Sequence, residues 1–177
     1  MEKREFWLVL KAQSGDRDSL DELFKLIQEP IYYYICSLVG DSSLSEDVLQ
    51  EVFITIYRKL YWLREPKLFR PWVYRIASRL AFKHLKREKE WNEQIRDEAI
   101  MEEIVQPETT VEFQPEIQAR LPELIKNISA ASRAVIVLHY LHEMTLEEVA
   151  DVLGINIGTV KSRLSYGLSI LRKSIQT

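Results

Sequence analysis

Apolar residues recur at helical spacing along the chain, most clearly in residues 41–63 and 68–87. In the first stretch a buried stripe is predicted from residues four positions apart: Leu44, Val48, Val52 and Ile56. In the second the apolar positions follow the i, i+3, i+4, i+7 order of one helix face: Phe69, Trp72, Val73, Ile76 and Leu80. Five glycines and six prolines are few for an all-β chain of 177 residues. The pattern therefore predicts an all-α protein.

The helix predicted within residues 41–63 has a polar beginning and a polar face. Ser43 or Ser45 is the predicted N-cap, because a serine oxygen accepts hydrogen bonds from first-turn amides. Acidic side chains nearby suit the positive end of the helix dipole. Four residues lie off the apolar stripe: Asp47, Gln50, Glu51 and Ile54. They form either ordinary solvated surface or, because the patch includes an apolar residue, a site that docks another protein.

Residues 145–167, TLEEVADVLGINIGTVKSRLSYG, have the spacing of a helix-turn-helix. Ala150 is small where the helices approach, Gly154 suits a turn of positive φ, and Val160 faces inward from the second helix. The remaining apolar contacts are expected from Leu146, Val149, Leu153, Ile155 and Leu164. The alternative structure is a plain helical hairpin without DNA binding.

Both helices of this motif have predicted caps. Thr145 and Glu148 match a capping box, and Asn156 is positioned to cap the second helix. If that second helix enters a major groove, its early outward residues meet bases and phosphates. These residues are Thr159, Lys161, Ser162, Arg163 and Ser165.

Charge is segregated along the chain, although the formal net charge is only -3. Residues 58–87 contain ten basic residues and one acid, whereas residues 88–123 contain three basic residues and eleven acids. The last 25 residues, 153–177, form a second basic block, with four basic residues and no acid. Because the acidic stretch also holds prolines and lacks sustained apolar periodicity, it predicts a linker. The predicted parts are an N-terminal domain (1–95), an acidic linker (96–118) and a C-terminal helix-turn-helix domain (119–177).

The two basic blocks favour nucleic acid as a partner, because clustered Lys and Arg neutralise phosphates and release counterions. Four of the cations stand four positions apart and form one stripe if their helix is continuous: Arg75, Arg79, Lys83 and Arg87. The alternative is a solvated basic face that only aids solubility.

Other classes of protein are disfavoured by the sequence. The single cysteine, Cys36, excludes an internal disulfide and a cysteine-rich zinc site. The N-terminal apolar run, Phe6 to Leu10, is too short for a signal peptide or membrane span, so a cytoplasmic protein is expected. His139, His142 and Glu143 lack metalloprotease spacing and an evident third ligand. We therefore predict no enzyme activity, no metal and no cofactor.

Four stretches of sequence carry a family resemblance. Three lie in the first domain, AQSGDRDSLDELF, SEDVLQEVFITIYR and FRPWVYRIASRLAFKHLKR, and the fourth, ISAASRAVIVLHYLHEMTLEEVADVLGINIGTVKSRL, lies in the second. Over nearly its full length the chain resembles the extracytoplasmic-function (ECF) sigma factors of bacterial RNA polymerase, and GTVKSRL is the most specific run. The resemblance implies a promoter-specificity subunit that assists initiation without catalysis of its own.

The resemblance also implies roles for individual residues. The core polymerase-binding residues would be Asp47, Gln50, Glu51, Phe53 and Ile54. The residues that contact the downstream (-10) element would be Arg75, Ser78, Arg79, Lys83, Lys86 and Arg87. The residues that contact the upstream (-35) element would be Asn156, Thr159, Lys161, Ser162, Arg163 and Ser165.

The implied partners are core RNA polymerase, double-stranded promoter DNA, the melted non-template strand and an anti-sigma protein. The resemblance further implies that the acidic linker threads the RNA exit path, where its charge mimics that of RNA. Direct membrane insertion is not expected. A different class of protein, a homodimeric regulator with one helix-turn-helix, is the alternative, but it would have no use for the basic block and the acidic tether.

Four positions depart from the family pattern. Arg79 and Lys83 stand where many members have Asn and Asp. Both changes add positive charge, which predicts more phosphate contact, and the base-specific contact of the family's Asn does not carry over to Arg79. Tyr166 and Leu168 stand where the family often has arginines, which predicts weaker backbone anchoring at the upstream element.

Overall fold

The computed structural model describes residues 3–92, 124–125 and 128–175, and every regular element in those ranges is a helix. The chain divides into two compact units, Met1–His84 and Leu85–Thr177. The predicted linker, residues 96–118, lies outside the described residues. Within the described part of the chain, no helix combines the length and apolarity needed to cross a bilayer.

The helices alternate with short connections in both units. The first unit contains α1 (Lys3–Gln13), α2 (Arg17–Val39), α3 (Ser42–Lys59), two short 3-10 turns (Leu60–Trp62 and Pro66–Leu68) and the start of α4 (Phe69–Asn92). The second contains α5 (Ala130–Ile136), which continues as a π-helical segment (Val137–Leu141), then α6 (Leu146–Leu153) and α7 (Ile157–Ile175).

The core of the first unit is built from the predicted apolar stripes. Val48, Val52 and Ile56 of α3 are fully buried, as are Phe69 and, nearly so, Val73 of α4. The other members of the two stripes, Leu44, Trp72, Ile76 and Leu80, are half-buried. The stripes therefore identify the side of each helix that packs into the core, and the opposite sides face away from it.

The N-cap of α3 differs from the prediction. α2 ends at Gly40, which has a φ of 80°, and the next helix starts almost at once. Asp41 therefore takes the cap position, and its Oδ1 accepts a hydrogen bond from the Leu44 amide at 2.7 Å. Ser45 is instead buried inside the helix, where its hydroxyl donates to the Asp41 carbonyl. The prediction of Ser43 or Ser45 as the cap is wrong.

The helix-turn-helix has the predicted local geometry. Thr145 and Glu148 form a reciprocal capping box at the start of α6. Gly154 ends α6 in the left-handed region, with a φ of 68°. Asn156 Oδ1 accepts a hydrogen bond from the Thr159 amide at 2.8 Å and so caps α7. These local contacts hold the turn between the two helices in one conformation.

Gly167 marks a close approach of α7 to α5. A Cβ atom at this position would lie 2.5 Å from Ile136 Cδ1, and both residues are buried. We expect Gly167→Ala to lower the free energy of unfolding by about 1–3 kcal/mol through overpacking. Ile136→Val removes the colliding atom, so the double variant is expected to lose less stability than the two single changes added together. Urea unfolding of the four proteins, followed by circular dichroism, measures this; strict additivity would contradict the close contact.

Candidate functional site

The outer face of α3, defined by Asp47, Gln50 and Ile54, is exposed to solvent. These residues are spaced i, i+3, i+7 and therefore lie on one side of the helix, away from the buried stripe. Ile54 keeps 51% of its surface exposed, although it is a large apolar residue. A carboxylate, an amide and an exposed isoleucine together form a surface suited to binding a protein that has a cation beside an apolar patch.

Two further residues predicted for this site, Glu51 and Phe53, are engaged within the domain. Glu51 Oε1 lies 2.9 Å from His84 Nε2 of α4. The ring of Phe53 stacks on Phe24 of α2, with centroids 4.7 Å apart and an interplanar angle of 16°. Of the five predicted polymerase-binding residues, three thus lie on the outer face and two connect α3 to its neighbouring helices.

Exposed aromatic residues, which were not among the predicted site residues, extend the outer face. Tyr57 and Tyr61 follow Ile54 at i+3 and i+7, and they are 68% and 73% exposed. Trp62 packs edge-on against Tyr61 and is equally open. Gln13 anchors the turn that carries Tyr61 and Trp62, because its Nε2 donates to the carbonyls at the start of the turn and just after it, at 2.9 and 2.7 Å. The spacing of Tyr57 and Tyr61 from Ile54 is the sequence signal that could have identified these two residues.

The second surface lies on α4. The continuous helix carries the predicted cations through its middle and second half, where four of them are exposed: Arg79, Lys83, Lys86 and Arg87. Arg75, the first member of the stripe, is half-buried. A helix that presents several cations from one segment can follow a phosphate backbone and gain affinity by counterion release.

Ser78, which was predicted to contact DNA, does not lie on this surface. Its side chain is only 2% exposed, lies 2.6 Å from the Tyr34 hydroxyl and donates to the Tyr74 carbonyl. Position 78 follows the buried Tyr74 by four residues and so faces the core. Burial raises the pKa of Tyr34 well above its ordinary value, which keeps that hydroxyl protonated.

The third surface is the start of α7. Two hydrogen bonds join Asn156 and Thr159. In addition to the capping bond, Asn156 Oδ1 accepts a hydrogen bond from the Thr159 hydroxyl at 3.0 Å. Ser162 is half-buried and donates to the Thr159 carbonyl at 3.1 Å. Arg163 is half-buried and its Nε atom is enclosed, and Ser165 is half-buried as well. Lys161 is exposed and presents a cation from this turn.

Two of the positions that depart from the family pattern have different environments. Leu168 is 7% exposed and belongs to the core of the second unit. Tyr166 is 39% exposed and follows Ser162 by one helical turn. Leu168 therefore serves packing, whereas Tyr166 stands on the same side of α7 as the residues predicted to face DNA.

His139, near the turn between α5 and α6, forms a hydrogen bond that stabilises the fold locally. His139 Nδ1 lies 2.7 Å from the Met144 carbonyl oxygen and ties the π-helical segment to the connection that follows. Glu143 occupies the left-handed region at a φ of 53°. No three His, Cys, Asp or Glu side chains in the described ranges converge as metal ligands.

Comparison with known protein families matches both units. The sigma-70 region 2 model covers residues 23–90, and the sigma-70 region 4 model covers residues 124–173. The chain is 30% identical to the RNA polymerase sigma-H factor of Pseudomonas aeruginosa, over 96% of this chain and 92% of that protein. It is 26% identical to the ECF RNA polymerase sigma factor SigW of Bacillus subtilis, over 95% of each.

Solved structures share the fold. CnrH, in complex with the cytosolic domain of CnrY, superposes with a TM-score of 0.69 at 20% identity and covers 98% of each chain. RpoE of Bartonella quintana, in complex with the anti-sigma factor NepR, gives a TM-score of 0.67 at 18% identity. That match covers 89% of this chain and 96% of RpoE.

Region 2 followed by region 4 is the domain order of a two-domain initiation factor of the sigma-70 type. The chain belongs to the ECF group of RNA polymerase sigma factors. It directs RNA polymerase to promoters, and members of this family are non-enzymatic initiation factors. The expected all-α class with a helix-turn-helix in the second domain is confirmed, and the family match disfavours a homodimeric regulator.

Proposed function

We propose that three separate helices divide the work of this sigma factor. The outer face of α3, together with Glu51 and the edge of Phe53, binds the clamp helices of the polymerase largest subunit. The basic segment of α4 binds the downstream element, and the start of α7 binds the upstream element. The observation that carries the proposal is that Asp47 is exposed on α3, whereas the exposed cations among the predicted DNA-binding residues lie on α4 and α7.

The α4 segment supports a role in contacting opened promoter DNA. Its exposed cations, Arg79, Lys83, Lys86 and Arg87, neutralise phosphates whether the strands are paired or separated. Arg79 and Lys83 replace the polar and acidic residues common in the family, so this protein binds the downstream backbone more strongly and reads fewer of its bases. Arg75, which is half-buried, contributes from the edge of the site.

The helix-turn-helix supports binding of the upstream element in the major groove. Lys161 is exposed early in α7, where a recognition helix meets base edges. Asn156 and Thr159 brace this turn through their mutual hydrogen bonds. Ser162, Arg163 and Ser165, all half-buried, border the same surface. The α4 and α7 surfaces each bind DNA weakly alone, and their combined affinity becomes high when polymerase fixes the spacing between them.

The acidic segment of residues 96–118 occupies the RNA exit path of polymerase, where its negative charge substitutes for RNA. An anti-sigma protein holds the factor inactive. RpoE, a sigma factor of the same fold, has been crystallised in complex with the anti-sigma factor NepR. The protein acts in the cytoplasm, needs no cofactor and catalyses no reaction itself.

Run-off transcription from a promoter library tests the proposed function. Core RNA polymerase is assayed with and without the purified protein, and the transcripts are sequenced. We expect protein-dependent transcripts whose templates share two elements at a fixed separation, with a weakly specified downstream element. Absence of transcripts despite binding to core polymerase would indicate a decoy, and absence of core binding would restore the dimeric regulator.

A further inference from the structure

One hydrogen bond joins the polymerase-docking helix to the basic helix. His84 Nε2 of α4 lies 2.9 Å from Glu51 Oε1 of α3, and the two residues are 33 positions apart in the chain. The His84 side chain is 15% exposed and that of Glu51 is 41% exposed. An ionised carboxylate only accepts hydrogen bonds, so Nε2 carries the proton and donates it.

The positions of the two residues give this bond a functional setting. Glu51 lies between Asp47 and Ile54 of the outer face of α3, one helical turn from Asp47. His84 directly follows the exposed Lys83, yet it is turned inward and largely covered. A carboxylate has more than one acceptor site, so the bond to His84 leaves Glu51 able to accept from a partner.

We propose that His84 is a positioning residue for polymerase binding, which holds the Glu51 carboxylate in the orientation that the polymerase surface accepts. The inference rests on the proposed function, in which Glu51 binds polymerase. A glutamate side chain loses rotamer freedom when it is ordered at an interface, and this loss opposes binding. The hydrogen bond from His84 already restricts the Glu51 carboxylate in the free protein. Less rotamer freedom is therefore lost when polymerase binds.

This role separates His84 from the cations beside it. His84 stands among residues that contact DNA in the proposed function, and its position in the sequence suggests the same role. The structure assigns it instead to α3, since its ring nitrogen is engaged by Glu51. Loss of His84 is therefore expected to weaken polymerase binding through Glu51.

A double-mutant cycle on the full-length protein tests the inference. Affinity for core RNA polymerase is measured for the unchanged protein, His84→Ala, Glu51→Ala and the double variant. We expect His84→Ala alone to weaken binding about 3- to 10-fold, a modest effect because Glu51 is partly exposed. In the Glu51→Ala background the same change is expected to have no further effect. His84→Gln is expected to retain most of the affinity, because its amide Nε2 also donates.

The possible outcomes separate this inference from the proposed function. Equal losses from His84→Ala with and without Glu51 would overturn it, because His84 would then act on the fold alone. Loss of binding by Asp47→Lys and Glu51→Ala, with no loss by His84→Ala, would overturn it while leaving the docking site intact. Unchanged binding in all of these variants would overturn both. Thermal unfolding of each variant verifies that the domain is folded.

Discussion

Replacement of Lys161 by glutamate is expected to lower transcription that depends on the upstream element by about 10- to 100-fold, while binding to core polymerase is unchanged. Lys161 is the exposed cation in the early part of α7. Its loss removes a DNA contact of roughly 1–3 kcal/mol, and the new carboxylate repels the phosphates as well. Run-off transcription from a promoter selected in the library, with the upstream element intact or scrambled, measures the change.

Arg172→Glu provides the matched control for Lys161→Glu. Arg172 is exposed on the same helix, about 16 Å farther along its axis at 1.5 Å per residue, and the substitution changes the net charge by the same amount. We expect little effect on transcription from this variant. Equal losses from both substitutions would show that the net charge of the domain matters and would contradict a local contact at Lys161.

Replacement of Asp47 by lysine is expected to weaken binding to core polymerase by roughly 10-fold or more. Asp47 is exposed in the first turns of α3 and leads the outer face. Reversal of a charge at an interface replaces an attraction by a repulsion, and close charge pairs have coupling energies of about 1.5–7 kcal/mol. Competition with a labelled sigma factor for core polymerase measures the loss directly.

Glu46→Lys separates the docking face from a general charge effect. Glu46 is the exposed neighbour of Asp47, but its side chain lines a different groove, beside Tyr32 and Tyr33 of α2. The variant is expected to bind core polymerase nearly as well as the unchanged protein. If Glu46→Lys weakens binding as much as Asp47→Lys, the partner surface is broader than the outer face of α3.

Local structural features could be predicted from short stretches of the sequence. The apolar stripes of α3 and α4, the capping box of Thr145 and Glu148, the left-handed Gly154 and the cap at Asn156 all depend on residues within a few positions of one another. Periodicity and capping act over one or two helical turns, so their signals are present in any short stretch. The one cap that was predicted wrongly, at the start of α3, depended on where the preceding helix ended at Gly40.

Contacts between residues of different helices could not be predicted from short stretches of the sequence. Ser78 has the position of a DNA-facing residue in the family pattern, yet its partner is Tyr34, 44 positions away. The pairing of His84 with Glu51 and the close approach of Gly167 to Ile136 likewise join separate helices. No short-range pattern specifies such pairs, because they depend on how one helix is rotated against another.

The sequence by itself determined the family, the helical class, the charge segregation and the helix-turn-helix, because these follow from composition, spacing and motifs along the chain. Only the tertiary structure decided which of the predicted side chains are available to a partner. It exposes Asp47, Ile54 and Lys161, buries Ser78 and Leu168, and bonds Glu51 to a histidine of another helix. Availability is decided there because burial is a property of packed helices, and packing brings together residues that are far apart in the chain.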